Sequence, residues 1–164
     1  MKPEVNLEQV STELLLPFIK EMLSEGKTVQ LTVTGNSMLP LLRNRMDSVF
    51  IAPAGKLKKY DIAFYVRDNG EAIMHRIVGK RKNGYVIVGD NQLVLETGIR
   101  REQILGVITA FTRSGRTFSV NKWWCRLYGA VWGFLRPVRK PLLPLVFFLI
   151  QRVKRIEKMN GETK

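Results

Sequence analysis

Two Asn-Gly pairs constrain this chain more than any other feature. Asn69-Gly70 follows Asp68 and Asn83-Gly84 follows Lys82, and each sits between short apolar runs. Asn and Gly accept the positive φ that a tight hairpin turn needs, so the flanking runs are expected to fold back as antiparallel strands. The predicted strands are Val29 to Thr34, Ser48 to Pro53, Asp61 to Val66, Ala72 to Gly79, Tyr85 to Val88 and Ile104 to Phe111. Short strands at short intervals, with no helices alternating between them, argue against a parallel α/β sheet. They predict a mainly β, coiled antiparallel domain. No internal repeat is visible.

A helix is predicted ahead of the strands. Val10, Leu14, Leu15, Phe18, Ile19 and Leu23 recur near helical spacing between Val5 and Glu25, with Glu8, Glu13, Lys20 and Glu21 among them. Pro17 is expected to kink or split it, and Gly26 to stop it. The interleaved charges argue against a transmembrane span. No basic start leading into an unbroken apolar stretch marks a secretory signal. An amphipathic helix packed on the domain or at an interface is the expectation.

Charge divides the chain unevenly. The formal net charge is +13; Thr112 to Lys164 holds twelve Lys and Arg against two Asp and Glu, or +10, which leaves +3 for the first 111 residues. Trp123 to Leu135 is apolar and aromatic apart from Arg126. Arg136, Arg139 and Lys140 follow, and Leu142 to Ile150 is a second apolar run. Neither run reaches the roughly 20 residues of a bilayer span. Joining them would bury the basic cluster in hydrocarbon at roughly 3 kcal/mol per charge. Aromatic residues beside basic ones suit the lipid–water boundary. The expected organisation is therefore an amphipathic helix over 1–27, a β domain over 28–112 and a basic, helical, membrane-associating tail over 113–164. The expected partner of the tail is an anionic membrane surface. A packed helical hairpin is the alternative, and nucleic acid ranks third because Leu142 to Ile150 is too apolar for a solvated surface. Cys125 is the only cysteine, which excludes an internal disulfide; with one His besides, neither a zinc site nor any cofactor is expected.

The run from Val29 to Thr34 ends at Gly35, and Asn36-Ser37-Met38-Leu39-Pro40 follows. Gly35 permits backbone angles that a Cβ discourages. Pro40 fixes its own φ and biases Leu39 toward extended geometry. Ser37 is thereby held in a constrained bend, either as part of a plain Asn-Ser turn or as a presented hydroxyl. The only His, His75, shares one face of its predicted strand with Ile73 and Ile77. A serine hydroxyl needs a base to become a nucleophile, and an imidazole titrating near pH 6.5 can serve. The alternative is a core histidine with a satisfied hydrogen bond. Asp90, in Gly89-Asp90-Asn91, either orients the imidazole or bonds its own turn.

The ordered set Gly35-x-Ser37-Met38-x-Pro40, then a strand carrying His75-Arg76, then Gly89-Asp90-Asn91 resembles the type I signal peptidases of the S24/S26 superfamily. The resemblance spans roughly Thr28 to Phe111. It is strongest to the subgroup that uses His as the base, as in the endoplasmic-reticulum and archaeal enzymes. It implies a serine endopeptidase that cleaves after small residues in a secreted or precursor peptide, with Ser37 as nucleophile and His75 as base. In those relatives an acidic residue soon after Gly-Asp-Asn completes the triad. The matching position here is Glu96, where the relatives carry Asp; Asp90 and Glu96 both stand as candidates for the third group. The N–H of Ser37 is the expected first oxyanion donor. Some relatives add a hydroxyl two residues before the nucleophile, where this chain has Gly35, so Asn36 or a further amide is the expected substitute. Two Gly-Asp turns of the relatives read Met46-Asp47 and Tyr60-Asp61 here, and both Asp residues are expected as turn formers. The relatives' transmembrane helix ahead of the serine has no counterpart in Val5 to Glu25. Two other readings remain. A self-cleaving LexA-like repressor domain is disfavoured by His where that group uses Lys, and a non-catalytic module would use the tail as a membrane-surface interaction site.

Overall fold

The computed structural model describes residues 12–135. Helix α1 (Thr12–Ser24) leads into strands β1 (Val29–Thr32), β2 (Ser48–Pro53), β3 (Ile62–Val66), β4 (Ala72–Arg81), β5 (Gly84–Val88), β6 (Glu96–Ile99), β7 (Ile104–Arg113) and β8 (Arg116–Ser119), and helix α2 (Trp123–Phe134) follows. The strands form one antiparallel sheet in the order β1-β2-β7-β3-β4-β5-β6, with β8 paired to the far half of β7. Among the described residues the fold is mainly β with two α-helices. The first part of the predicted N-terminal helix and everything from 136 onward, including the Leu142 to Ile150 run, lie outside the described residues.

Both Asn-Gly signals sit at hairpins. Between β3 and β4, Gly70 takes φ +88, its N–H donates to Arg67 O at 3.0 Å, and Arg67 N–H donates to Glu71 O at 2.9 Å. Only the glycine of that pair carries a positive φ, so the connection is a three-residue loop closed by a left-handed glycine rather than a primed two-residue turn. Register shifts in β2, β3, β4 and β5 bend and twist the strands. Pro17 lies inside α1, and Gly26 at φ +80 ends it, with Lys27 N–H reaching back to Met22 O.

Strand alternation separates two apolar clusters, one on each face. On β3, Ile62 and Phe64 join the first, while Ala63 and Tyr65 join the second. The first cluster gathers Ile19 and Leu23 of α1, Met38, Leu41 and Leu42 after Ser37, and Cys125 of α2. The second gathers Ile77, Ile87, Ile99 and Ile104.

The β domain does not stop at 112. Strand β7 continues to Arg113, β8 pairs back onto it, and α2 docks on the same body. Trp132 Nε1–H donates to Asp90 O at 2.7 Å. Gly129 makes this docking close: a Cβ there would lie 2.8 Å from Arg76 Nη1 and 3.3 Å from Tyr60 Cβ. Residues 113–135 thus pack on the same body as the strands before them. One side of the aromatic run is a packing face; the other, with Trp123, Leu127, Val131 and Phe134, stays exposed.

Candidate active site

The Ser37 bend is built from backbone contacts. Gly35 sits at φ +86 and its N–H donates to Asn44 Oδ1 at 3.1 Å. The carbonyl of Ser37 accepts the N–H of Asn91 at 2.7 Å, and Asn91 Nδ2 donates to Asn36 O at 3.1 Å. Gly89-Asp90-Asn91 is thus stitched to the bend, and Gly89 is what allows the approach. A Cβ at Gly89 would lie 2.7 Å from Ser37 O. Asp47 holds the far end of the loop. It is buried and accepts from Arg43 N–H at 2.9 Å, Arg43 Nη2 at 2.8 Å and Arg113 Nη2 at 2.7 Å. Burial pushes its carboxyl up, but the guanidiniums outweigh that and hold it below the usual range. Asp47 is a buried anchor as well as a turn former, whereas Asp61 accepts Lys58 N–H at 2.8 Å as a turn residue does. Tyr60, where the resemblance has Gly, adopts φ +76, a conformation that glycine accepts more readily.

Strand β4 has a half-open edge. Its residues 72–76 pair with β3, but pairing with β5 begins only at Arg76. Ser37 lies beside that open edge. A groove of about 70 Å³ runs between it and Leu31 to Gly35 on one side and Ala72, Ile73 and Met74 on the other, floored by Met38 and Phe64. An unpaired strand edge offers N–H and C=O groups to an added extended chain.

His75 is the next residue along β4. Its side chain turns to the second face, opposite Ala63, and is 1% exposed. Nδ1 lies 3.0 Å from Glu96 Oε1 and 3.2 Å from the Tyr65 hydroxyl. Arg67 grips the same carboxylate at two points, with Nη2 to Oε1 at 2.6 Å and Nε to Oε2 at 2.8 Å, and its Nη1 holds Glu71 at 2.7 Å. Burial pushes Glu96 up, but Arg67, Tyr65 and His75 bring it below the usual carboxylate range. An ionised carboxylate only accepts, so Nδ1 carries the proton and Nε2 is left as an acceptor. Burial lowers the His75 pKa, with Glu96 opposing, and the imidazole is neutral at neutral pH.

The structure separates the two candidate acids. Glu96 reaches His75. Asp90 does not act as its partner: Arg76 Nε and Nη2 take both Asp90 oxygens, at 2.8 and 2.7 Å, on the other face of β4. Alternation explains the split, because His75 and Arg76 are adjacent and point opposite ways. Of the two candidate acids, Glu96 is therefore the one hydrogen-bonded to the imidazole, and Asp90 is the one paired with Arg76. Asn36 is exposed at the mouth of the bend. Among the described residues no hydrogen bond joins the Ser37 hydroxyl to His75; the groove beside Ser37 opens toward the first face, and the imidazole lies across the β4 edge from it. Sequence reasoning missed Arg67 and Tyr65. Tyr65 was within reach, since β3 alternation puts it on the His75 face once the β3–β4 hairpin is registered.

Among the described residues no group of His, Cys, Asp or Glu is arranged to hold a metal ion, and no described helix is long and apolar enough to cross a membrane. No curated protein sequence matches the chain. The family model described as Peptidase S24-like matches residues 2–109, which takes in α1, the Ser37 bend, β4 and Glu96 and covers more than half of the chain. The chain belongs to the Peptidase S24-like family.

Proposed function

We propose that the chain is a serine endopeptidase of the signal-peptidase type, with Ser37 as nucleophile, His75 as base and Glu96 as the group that orients it. The observation that carries this reading is the Glu96–His75 hydrogen bond, which commits Nδ1 and leaves Nε2 free to accept a proton. In the reaction Nε2 takes the Oγ proton as Oγ bonds to the scissile carbonyl carbon. The oxyanion is met by the Ser37 N–H, with the Asn36 amide as second donor. The imidazolium returns its proton to the leaving amine, and water then hydrolyses the acyl-enzyme by the same base. The reaction requires the Ser37 hydroxyl and Nε2 to meet at the open edge of β4. The substrate is an extended precursor peptide added along that edge, and the narrow apolar groove supports small side chains before the cut.

The exposed stripe of α2, together with the basic residues around and after it, supports a second element of the proposal: attachment of the enzyme to an anionic membrane surface. A serine-directed acylating probe tests the catalytic reading. Labelling should map to Ser37 and vanish in Ser37→Ala and His75→Ala, and both variants should fail to cut a peptide with small residues before the scissile bond. Undiminished cleavage by Ser37→Ala would remove Ser37 as the nucleophile, and a wild type that neither labels nor cleaves would leave a non-catalytic module. Cleavage confined to the chain's own backbone would point to the self-cleaving alternative.

A further inference from the structure

We infer that Arg67 is a positioning residue, which clamps the Glu96 carboxylate against Nδ1 and thereby fixes which imidazole nitrogen is left to accept a proton. The catalytic consequence rests on the peptidase reading above; the clamp itself does not. Glu has one more rotatable bond than the Asp that the resemblance places here, so its carboxylate has more ways to leave the imidazole. The two-point contact from Arg67, at 2.6 and 2.8 Å, fixes the plane of the carboxylate as a single contact would not. Arg67 is held in turn. Its Nη1 binds Glu71, and its backbone N–H and C=O close the β3–β4 hairpin onto Glu71 and Gly70. A chain of contacts runs from the hairpin through Arg67 and Glu96 to His75, over 29 residues of sequence between Arg67 and Glu96. The Tyr65 hydroxyl, 3.2 Å from Nδ1, shares this site. Since Nδ1 carries a hydrogen, the Tyr65 O–H cannot donate to it and donates to the Glu96 carboxylate instead.

The single histidine makes the test direct. Protein without a histidine tag, labelled with ¹⁵N-histidine, gives one imidazole spectrum, and its two nitrogen shifts at pH 7.5 report the tautomer. The wild type should populate the Nδ1–H form. Arg67→Met should shift the population toward Nε2–H and lower kcat by up to about 100-fold with KM nearly unchanged, as a misplacement on the order of 1 Å at a reacting group does. Arg67→Lys keeps the charge without the fork and should not restore the tautomer. Asp68→Asn, whose carboxylate bonds Arg100 rather than Arg67, should leave the tautomer as in the wild type. Glu96→Gln provides a second route to the same loss if Arg67→Met does not fold. An Nε2–H wild type, an unchanged Arg67→Met spectrum, or full restoration by Arg67→Lys would each overturn the assignment. The spectrum is independent of Ser37. A wild type without peptidase activity, alongside the expected tautomer shift, would remove the peptidase reading and leave the clamp standing.

Discussion

The Asp90 carboxylate and the Arg76 guanidinium form a buried two-point pair, at 2.8 and 2.7 Å, on the face of β4 that does not carry His75. Arg76 Nη1 also donates to Tyr60 O at 3.0 Å, and Tyr128 of α2 lies over the guanidinium. Asp90→Asn leaves a buried cation without its counter-charge, which costs about 3–5 kcal/mol. The urea midpoint should fall accordingly with an unchanged m-value. Glu96→Gln, at a more exposed carboxylate, should unfold closer to the wild type while losing activity. If the two variants exchange these behaviours, Asp90 is the catalytic acid after all.

The parts of this arrangement that were legible in the sequence are local. The Asn-Gly hairpins, the strand carrying His75 and the bend at Gly35 each depend on neighbouring residues. Glu96 was reachable only through its spacing from Gly89-Asp90-Asn91, by resemblance. Nothing local separates it from Asp90, because which carboxylate meets the imidazole depends on β6 pairing beside β5. Strand β6 was missed because Glu96-Thr97-Gly98-Ile99 has no apolar alternation. Arg67 was missed because its partner lies across the sheet. The α2 segment misled for another reason. A helix apolar on both faces reads as uniformly lipid-seeking, and only packing against Arg76 and Tyr60 shows that one face is internal.

Activity should have its acid limb below the ordinary imidazole value. Burial disfavours the imidazolium and Glu96 only partly offsets this, so the base stays neutral at and somewhat below about pH 6.5. As pH falls further Nε2 is protonated and cannot accept from Ser37. The profile of kcat/KM should be flat around pH 7, with its acid midpoint below about 6.5. Glu96→Gln removes the opposing charge, so its midpoint should lie lower still and its plateau should drop. A wild-type midpoint above 6.5 contradicts the buried-base picture.

The lowered His75 pKa also predicts acid sensitivity of the fold. A depressed folded-state pKa means that the unfolded chain binds the proton more readily. The stabilisation by neutral His75 is then complete above about pH 6.5 and is lost as pH falls through the folded value, by about 1.4 kcal/mol for each pH unit that separates the folded and unfolded values. Asp47 and Glu96, also depressed, add losses further down, below about pH 4. Tm should fall between pH 7 and pH 5.5, and His75→Gln should flatten that interval because no other histidine titrates there. An unchanged slope in His75→Gln refutes the assignment.

Gly89→Ala should separate positioning from stability. The new methyl would lie 2.7 Å from Ser37 O and 3.0 Å from Gln92 Oε1. Ser37 O is backbone and is fixed by Asn91 N–H, so the bend itself must move. Overpacking of this kind costs about 1–3 kcal/mol, whereas a displacement on the order of 1 Å at a nucleophile costs about 100-fold in rate. A folded Gly89→Ala protein with cleavage near background is the expected result. Wild-type kcat/KM would mean that the Gly89–Ser37 contact does not set the nucleophile's position.

Helix α2 should hold the enzyme to lipid through its outer face. Trp123, Leu127, Val131 and Phe134 are 75%, 53%, 47% and 84% exposed. Their steps of four, four and three residues put them in one stripe, and Cys125, Gly129 and Trp132 of the same helix are buried against the domain. The stripe is therefore not needed for the core. Under the membrane attachment proposed above, its aromatic ends and the +10 charge from Thr112 onward meet the interfacial region of an anionic bilayer. The full chain should bind vesicles containing anionic lipid, more weakly in high salt, and poorly to neutral ones. Trp123→Ser, Leu127→Ser and Phe134→Ser combined should weaken partitioning about 100-fold or more, since each buried side chain is worth about 1.5–3 kcal/mol. Tm and cleavage of a short soluble peptide should be unchanged. Equal binding of the triple variant, or a dimer in light scattering that the triple variant dissolves, would assign the stripe to something other than lipid.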